Sequence, residues 1–429
     1  HMLQESWTGL SVLYICPIKA LLNNLEIRLT HYAGLVGRRV AVWHGDVSDS
    51  RKRKVLSDPP DILLTTPESL EGMLISRRVE RQAWFGNVRT AIVDELHAFA
   101  VDDRGWHLRA VLARVERYAP GPVQRIGLSA TVSNPEELLS WLAPKGERAV
   151  VGSSRVSTDA DVSIDFVGSL ENAATVIDRL YRGQKRLVFC DSRSSTEQLG
   201  NMLMERGIRT FVSHASLSAA ERKQAETAFA EERDCVIVAT STLELGIDVG
   251  DLDHVIQIDA PSSVSSFLQR MGRTGRRPGS RRNCLFLATD EHAFMLTLGI
   301  VELWSREWVE SANPPAEPWG AVAQQTLTSA LELGQTLTHE LLALMRNAFP
   351  ESTEQDFQSL LDCLIERGYL SSDHYGVSQI GPTSEQEFGR GKYRDLLATF
   401  TGCELLTAKY GSADVGFIDP TVLTGSDEM

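Results

Sequence analysis

The chain has 429 residues, 42% hydrophobic and 23% charged, with a net charge of −14. That balance excludes a disordered or low-complexity polypeptide and leaves apolar material for two or three domains, each with its own core. No apolar run reaches the roughly 18–20 residues of a membrane span, so a membrane partner is not expected.

An acidic total argues against a polyanion as partner unless bases are gathered locally. Here they are. Arg38 to Lys54 holds six basic residues against two acidic, and Arg270 to Arg282 holds six against none. Two such stripes suit a groove that follows a phosphate backbone. Six cysteines (Cys16, Cys190, Cys235, Cys284, Cys363, Cys403) are scattered without a Cys-x-x-Cys pair. Buried free thiols in a reducing cytoplasm are therefore expected, and a zinc site is not. His1-Met2 reads as a tag remnant, so N-terminal targeting is not legible.

From Ser11 the chain alternates short apolar runs with helical stretches. The runs are Val12-Leu13-Tyr14-Ile15, Val40-Ala41-Val42-Trp43, Ile62-Leu63-Leu64-Thr65, Ala91-Ile92-Val93-Asp94 and Arg125-Ile126-Gly127-Leu128. Continuous apolar character predicts strands covered on both faces of a parallel sheet, joined by βαβ crossovers. Pro17 is expected to open the first helix, where its missing N–H costs nothing. Asn134-Pro135-Glu136-Glu137 reads as a side-chain-capped helix start.

After a Ser/Asp/Gly-rich pause at Gly152 to Asp161 the pattern resumes. Its runs are Leu187-Val188-Phe189-Cys190, Thr210-Phe211-Val212, Cys235-Val236-Ile237-Val238, His254-Val255-Ile256-Gln257 and Cys284-Leu285-Phe286-Leu287. Two tandem α/β domains are expected. Beyond Val301 the texture turns helical, with stretches at Trp319 to Leu333, Thr338 to Ala348 and Thr353 to Arg367. A small hairpin then turns at Asp373 to Gly376. Three helices plus a hairpin is a winged-helix pattern. Ala408 to Met429 reads as the opening strands of another β unit.

Asp94-Glu95-Leu96-His97 follows a predicted buried strand, so its two carboxylates face the crevice where parallel sheets bind ligands. Such a pair can hold Mg²⁺ through water while one member orients or deprotonates an attacking water; an acidic strand end without function is the plainer alternative. Ser129-Ala130-Thr131 follows the next strand, either to link that site to neighbouring loops or simply as an N-cap. Gln269-Arg270-Met271-Gly272-Arg273-Thr274-Gly275-Arg276 has no acid nearby. Guanidinium forks and approachable glycine backbone suit phosphate.

In their order these pieces resemble the motif series of superfamily 2 helicases, and more closely the Lhr (large helicase-related) family. Pro17 to Leu21 resembles the first nucleic-acid motif and Thr65-Thr66-Pro67-Glu68-Ser69-Leu70 the second. Asp94 to His97 stands at the Walker B position and Ser129 to Thr131 at the coupling motif. Phe189 to Arg193 resembles the fourth motif, Ala239 to Asp248 the fifth, and Gln269 to Arg276 the sixth. The resemblance covers about residues 8 to 420.

It implies two tandem RecA-like parallel-sheet domains, the first incomplete, followed by a winged helix. The implied limits are 1–153, 154–305 and 306–395, with a further β domain beginning at 396–429. It implies ATP and Mg²⁺ as cofactors and single-stranded DNA as partner, with RNA the alternative. Asp94 and Glu95 would be the Mg²⁺ ligand and general base, and Arg273 and Arg276 arginine fingers. His97, Gly246, Asp248 and Gln269 would attend the nucleotide, and Ser129 and Thr131 would couple. Pro17, Lys19, Thr65, Thr66, Pro67, Arg193, Thr240 and Thr242 would lie along the strand.

One departure bears on all of this. The family's Gly-x-x-x-x-Gly-Lys-Ser/Thr loop, whose amides cradle phosphate, does not occur; the one Gly-Lys is Gly391-Lys392, followed by Tyr393. Three expectations follow: a piece of an active translocase, a protein whose partner polypeptide supplies that half, or a nucleic-acid-binding module without turnover. A first sheet lacking that strand is also expected to be destabilised or partner-dependent.

Overall fold

A computed structural model describes residues 7–152, 159–214, 232–243, 252–277, 279–389, 396, 406–410 and 413–418. The first apolar runs form a five-stranded parallel sheet of β1 (Val12–Ile15), β2 (Val40–Trp43), β3 (Ile62–Thr65), β4 (Thr90–Val93) and β5 (Gln124–Gly127), in the order β2-β3-β1-β4-β5. Leu13, Leu63, Ala91 and Val93 are fully buried between covering helices, which is why these strands read as unbroken apolar runs. The edge strand β5 has no neighbour beyond it among the described residues; Gln124 and Gly127 are exposed, and Leu128 after it is 42% exposed.

A six-stranded parallel sheet follows, in the order β6-β11-β10-β7-β9-β8. Its members are β6 (Ala160–Phe166), β7 (Lys185–Phe189), β8 (Thr210–Ser213), β9 (Cys235–Ala239), β10 (His254–Ile258) and β11 (Arg282–Ala288). The edge strand β6 was not anticipated. Its Ser and Asp residues alternate with apolar ones, so a search for continuous apolar runs passes over it.

Two local expectations are corrected. Pro17 lies before the first helix (Lys19–Leu35), whose N-cap is the extended Ile18. The Cys16 N–H bonds the Thr65 carbonyl at 3.1 Å, extending the β1 ladder and delaying helix entry. Asn134 precedes the helix Pro135–Leu142 but makes no side-chain cap. Its amide oxygen instead accepts from the Ala312 N–H at 3.0 Å.

The C-terminal unit runs helix (Trp319–Leu333), β12 (Thr336–Leu337), helix (Thr338–Ala348), helix (Glu354–Glu366), β13 (Leu370–Ser372), β14 (Val377–Ile380). The strands form an antiparallel sheet in the order β12-β14-β13. Beyond it, β15 (Leu406–Tyr410) and β16 (Ala413–Ile418) pair antiparallel.

This unit docks on the first sheet's helices, Pro67–Ile75 and Asp103–Glu116. Phe349, Phe357, Met345 and Val322 share one apolar cluster with Trp106, Leu108 and Val111. Inside the contact sits a buried polar network. Arg114 donates to Glu71 (2.6 Å), Glu332 (2.7 Å), Gln325 (3.0 Å) and Thr328 (3.0 Å), and His107 meets Glu71 at 2.7 Å. The Glu71, Arg114 and Glu332 side chains are all fully buried. Charge desolvated to this degree is tolerated because each nitrogen of the fork has a partner, Arg114 Nη2 the Thr328 carbonyl. Those ion pairs hold the Glu71 carboxyl well below the usual carboxylate range.

Candidate functional site

Asp94 and Glu95 leave β4 at its carboxyl end. The Asp94 N–H bonds the Ile15 carbonyl on one side and the Leu96 N–H bonds that of Leu128 on the other, both at 2.8 Å. Between these anchors Glu95 takes a left-handed conformation, φ 52°. A non-glycine residue held there costs about 1–3 kcal/mol, a strain that clusters at working sites.

The Asp94 carboxylate accepts from Tyr14 Oη at 3.0 Å and from the Glu95 N–H at 3.0 Å. Burial nonetheless raises its pKa. Glu95 is raised as well, by burial and then by Asp94, with Arg273 opposing. Two adjacent carboxyl groups pushed upward form a site that a cation would relieve. Mg²⁺ commonly takes one or two carboxylates together with waters and substrate phosphates, so this donor set fits it.

The opposite wall comes from the second sheet. Gln269 lies in the last turn of the helix Val264–Met271, and Arg273 follows that helix's C-cap, Gly272. A cleft of ≈ 290 Å³ is lined by Asp94, Glu95, Leu128, Ser129, Ala130, Gln269 and Arg273. His97 bridges the walls. Its Nδ1 accepts from the Ala130 N–H at 3.3 Å and lies 3.1 Å from Ser129 Oγ, while its Nε2 lies 2.8 Å from the Gln269 amide. Burial pushes the imidazole down to about 4, so it is neutral at physiological pH.

The remaining motif residues divide. Arg276 is exposed, its Nε on the Gly272 carbonyl at 3.3 Å, and is not in the cleft. Arg270, read with it as a phosphate contact, is buried. It bonds Gln257 (2.6 Å) and Asp191 (3.0 Å) and lies over the Phe189 ring, holding the second sheet together. Thr131 lines a neighbouring hollow with Ser265, Leu268, Gln269, Gly272 and Arg282. Gly246 and Asp248 lie outside the described residues.

The residues assigned to a strand follow other sheet positions. Pro17 and Lys19 follow β1, and Thr65 to Pro67 end or follow β3, on the side of the sheet away from β5. Lys19 is half-exposed and paired with Asp46 at 2.8 Å. Thr65 is fully buried, donating to the Trp43 carbonyl at 2.8 Å. Thr66 is buried too and caps the helix Pro67–Ile75 by accepting from the Ser69 N–H at 3.3 Å, with Pro67 as the first helical residue. Arg193 opens the helix Arg193–Glu205 after β7 and is exposed. Thr240 follows β9, its N–H on the Ser213 carbonyl at 3.2 Å; Thr242 sits in a short 3₁₀ turn.

Tyr14 was missed by sequence reasoning. It lies inside an apolar run on β1, and only the β1–β4 pairing brings it to Asp94.

Comparison with known proteins places the chain among helicases. Residues 1–138 match the DEAD/DEAH box helicase family model, and residues 170–278 the helicase conserved C-terminal domain. The chain is 32% identical to the Lhr helicase/probable uracil glycosylase of Mycolicibacterium smegmatis, over 76% of this chain and 25% of that protein. It is 31% identical to the Lhr helicase/uracil glycosylase of Escherichia coli, over 84% and 28%. It is 32% identical to the ATP-dependent helicase Lhr-Core protein 2 of Thermococcus barophilus, over 86% and 45%. The chain thus spans between a quarter and just under half of these relatives' lengths. The structure of Mycobacterium smegmatis helicase Lhr bound to ssDNA and AMP-PNP superposes with a TM-score of 0.81 at 29% identity, over 98% of this chain and 58% of that one. From its motif order, its paired parallel sheets and these likenesses, the chain belongs to the Lhr family of superfamily 2 helicases.

Proposed function

We propose that this chain is the strand-gripping and hydrolytic core of an ATP-dependent translocase that moves 3′ to 5′ on single-stranded DNA, in a DNA-repair setting in the cytoplasm. The observation that carries the reading is the single cleft in which Asp94 and Glu95 of one sheet face Gln269 and Arg273 of the other. In this reading residues 1–153 and 154–305 are the two RecA-like domains. Residues 306–395 are a winged helix, and 396–429 begin a further β unit.

Mg²⁺, held by Asp94 through water, would neutralise charge on the β and γ phosphates. Glu95 takes the proton of the attacking water, which its raised pKa favours. Arg273 approaches the γ-phosphate when the sheets close, and Arg276 joins it after swinging from its exposed position. His97, Gln269 and Ser129 report closure to the Thr131 loop. Lys19, Thr66, Arg193, Thr240 and Thr242 hold the strand backbone without reading sequence.

The test is ATP hydrolysis by this chain with and without single-stranded DNA, beside Glu95→Gln. DNA-stimulated turnover lost in Glu95→Gln supports the reading. The competing reading is a strand-binding module without turnover. DNA binding without hydrolysis would establish that competitor. Equal affinity for single-stranded RNA would move the substrate to RNA.

A further inference from the structure

The segment joining the second unit to the third crosses the seam beside the cleft, and each of its residues from 309 to 313 is engaged. Val309 is buried in the second sheet's apolar cluster. The Glu310 carboxylate accepts from the Val264 N–H at 2.8 Å and the Ser265 N–H at 2.9 Å. These are the first two residues of the helix that carries Gln269 and leads to Arg273. Ser311 Oγ meets Ser133 Oγ at 2.9 Å. Ala312 exchanges hydrogen bonds with the Asn134 side chain, N–H to Oδ1 at 3.0 Å and Nδ2–H to carbonyl at 3.3 Å, and Asn134 also donates to Asn313 Oδ1 at 2.9 Å. Ala312 itself is buried in the first sheet's cluster.

Ser133 and Asn134 end the same loop that begins with Ser129, Ala130 and Thr131. Five residues of linker therefore connect the helix of one cleft wall to the loop of the other. A helix cap alone needs only an Asp or Ser beside the first turn, and Ser263 already fills that role by accepting from the Ser266 N–H at 3.0 Å. Glu310 is a second, charged anchor on the same helix end, and it reaches from outside the helix.

We infer that Glu310 is a positioning residue for the arginine-bearing helix, and that the 309–313 strap sets the separation of Gln269 and Arg273 from Asp94 and Glu95. The strap sits beside the cleft assigned above to ATP, so its catalytic consequence rests on that assignment, whereas its mechanical consequence does not. Release of either end of the strap lets the seam open more readily, and an open seam exposes amides on both walls.

Hydrogen exchange of the full chain, compared among wild type, Glu310→Ala, Glu310→Gln and Asn134→Ala, reads the mechanical part. In Glu310→Ala the Val264 and Ser265 amides are expected to exchange about ten- to a hundredfold faster, as charged hydrogen bonds are lost. The Ala130 amide, across the seam on His97, is expected to accelerate severalfold with them. Asn134→Ala is expected to accelerate Val264 and Ser265 in return, and Glu310→Gln, which keeps an acceptor, to restore most of the protection. Acceleration confined to the mutated side of the seam would reduce Glu310 to a local cap and overturn the strap. Hydrolysis reads the catalytic part: in Glu310→Ala kcat falls about tenfold while the nucleotide KM stays within about twofold. Unchanged kcat would refute the positioning role. A wild-type chain that hydrolyses no ATP would instead defeat the proposed function, leaving exchange alone to decide the strap.

Discussion

The cleft acts through a few side chains whose surroundings set their protonation. Glu95 works as a base only when ionised, and burial and Asp94 both hold its proton on. Hydrolysis should therefore fall with acidification at a midpoint above the ordinary glutamate value, as a pH–rate profile would record. Arg273→Ala should slow hydrolysis by roughly 10³–10⁵ and leave single-strand binding unchanged. A parallel loss of binding would make Arg273 a strand contact. His97 gives a stability signature of opposite origin. Its folded value of about 4 lies below the ordinary 6.5, so the unfolded chain binds the proton more readily. Its contribution is present above about pH 6.5 and is lost as pH falls toward 4. Denaturant midpoints at pH 5 and 7 should differ less in His97→Gln than in wild type. The acidic pair was legible because two carboxylates ended a strand-like run. What distinguished Arg273 from Arg270 and Arg276 was not, since all three share one eight-residue string and only packing buries Arg270 against Phe189 and Gln257.

Among the elements, sheet order sorts the chemistry. Within the first sheet, β4 and β5 lead into the cleft residues Asp94, Glu95, Ser129 and Ala130, whereas β1 and β3 lead into Lys19 and Thr66, which are assigned to the nucleic acid. Sequence periodicity revealed these strands almost to the residue, because parallel strands covered on both faces are apolar throughout. It missed β6, which alternates, and the two-residue β12, too short to have a period. The family resemblance, not periodicity, put Thr65 along the nucleic acid; its side chain is buried and bonds the Trp43 carbonyl. Thr65→Val should accordingly lower stability by about 1 kcal/mol and leave DNA affinity unchanged. Lys19→Ala should act the other way. In a salt titration it should reduce the slope of log K against log[salt] by about 0.7, one phosphate contact on a single strand. An unaltered slope would remove Lys19 from the interface.

At the scale of the molecule, the first and third units share an apolar cluster and a buried ionic network, whereas the second meets the first through the thinner seam at His97 and Gln269. Arg114→Met would leave Glu71 and Glu332 buried without their cation, at a cost of about 3–5 kcal/mol. Calorimetry should show one transition for the first and third units together, lowered in that variant, with the second unit's transition unmoved. Independent melting of the third unit would contradict this. None of it could be read from the sequence, where Glu71, Arg114 and Glu332 are separated by dozens to hundreds of residues and look like ordinary helix-surface charges.

The same network limits how such proteins can be recombined. Glu71 and Arg114 belong to the first unit and Glu332 to the third, so neither is a free cassette. A chimera joining this first unit to the helical unit of a relative would bury Arg114 against whatever stands at the place of Glu332. If that residue is apolar, one guanidinium has lost half its anions. If it is basic, two cations meet in the dry. The second unit carries no part of this network and could be exchanged at its seams. For grafting, and for the drift of sequences over time, the first and third units behave as one inherited block written in two separated stretches of chain.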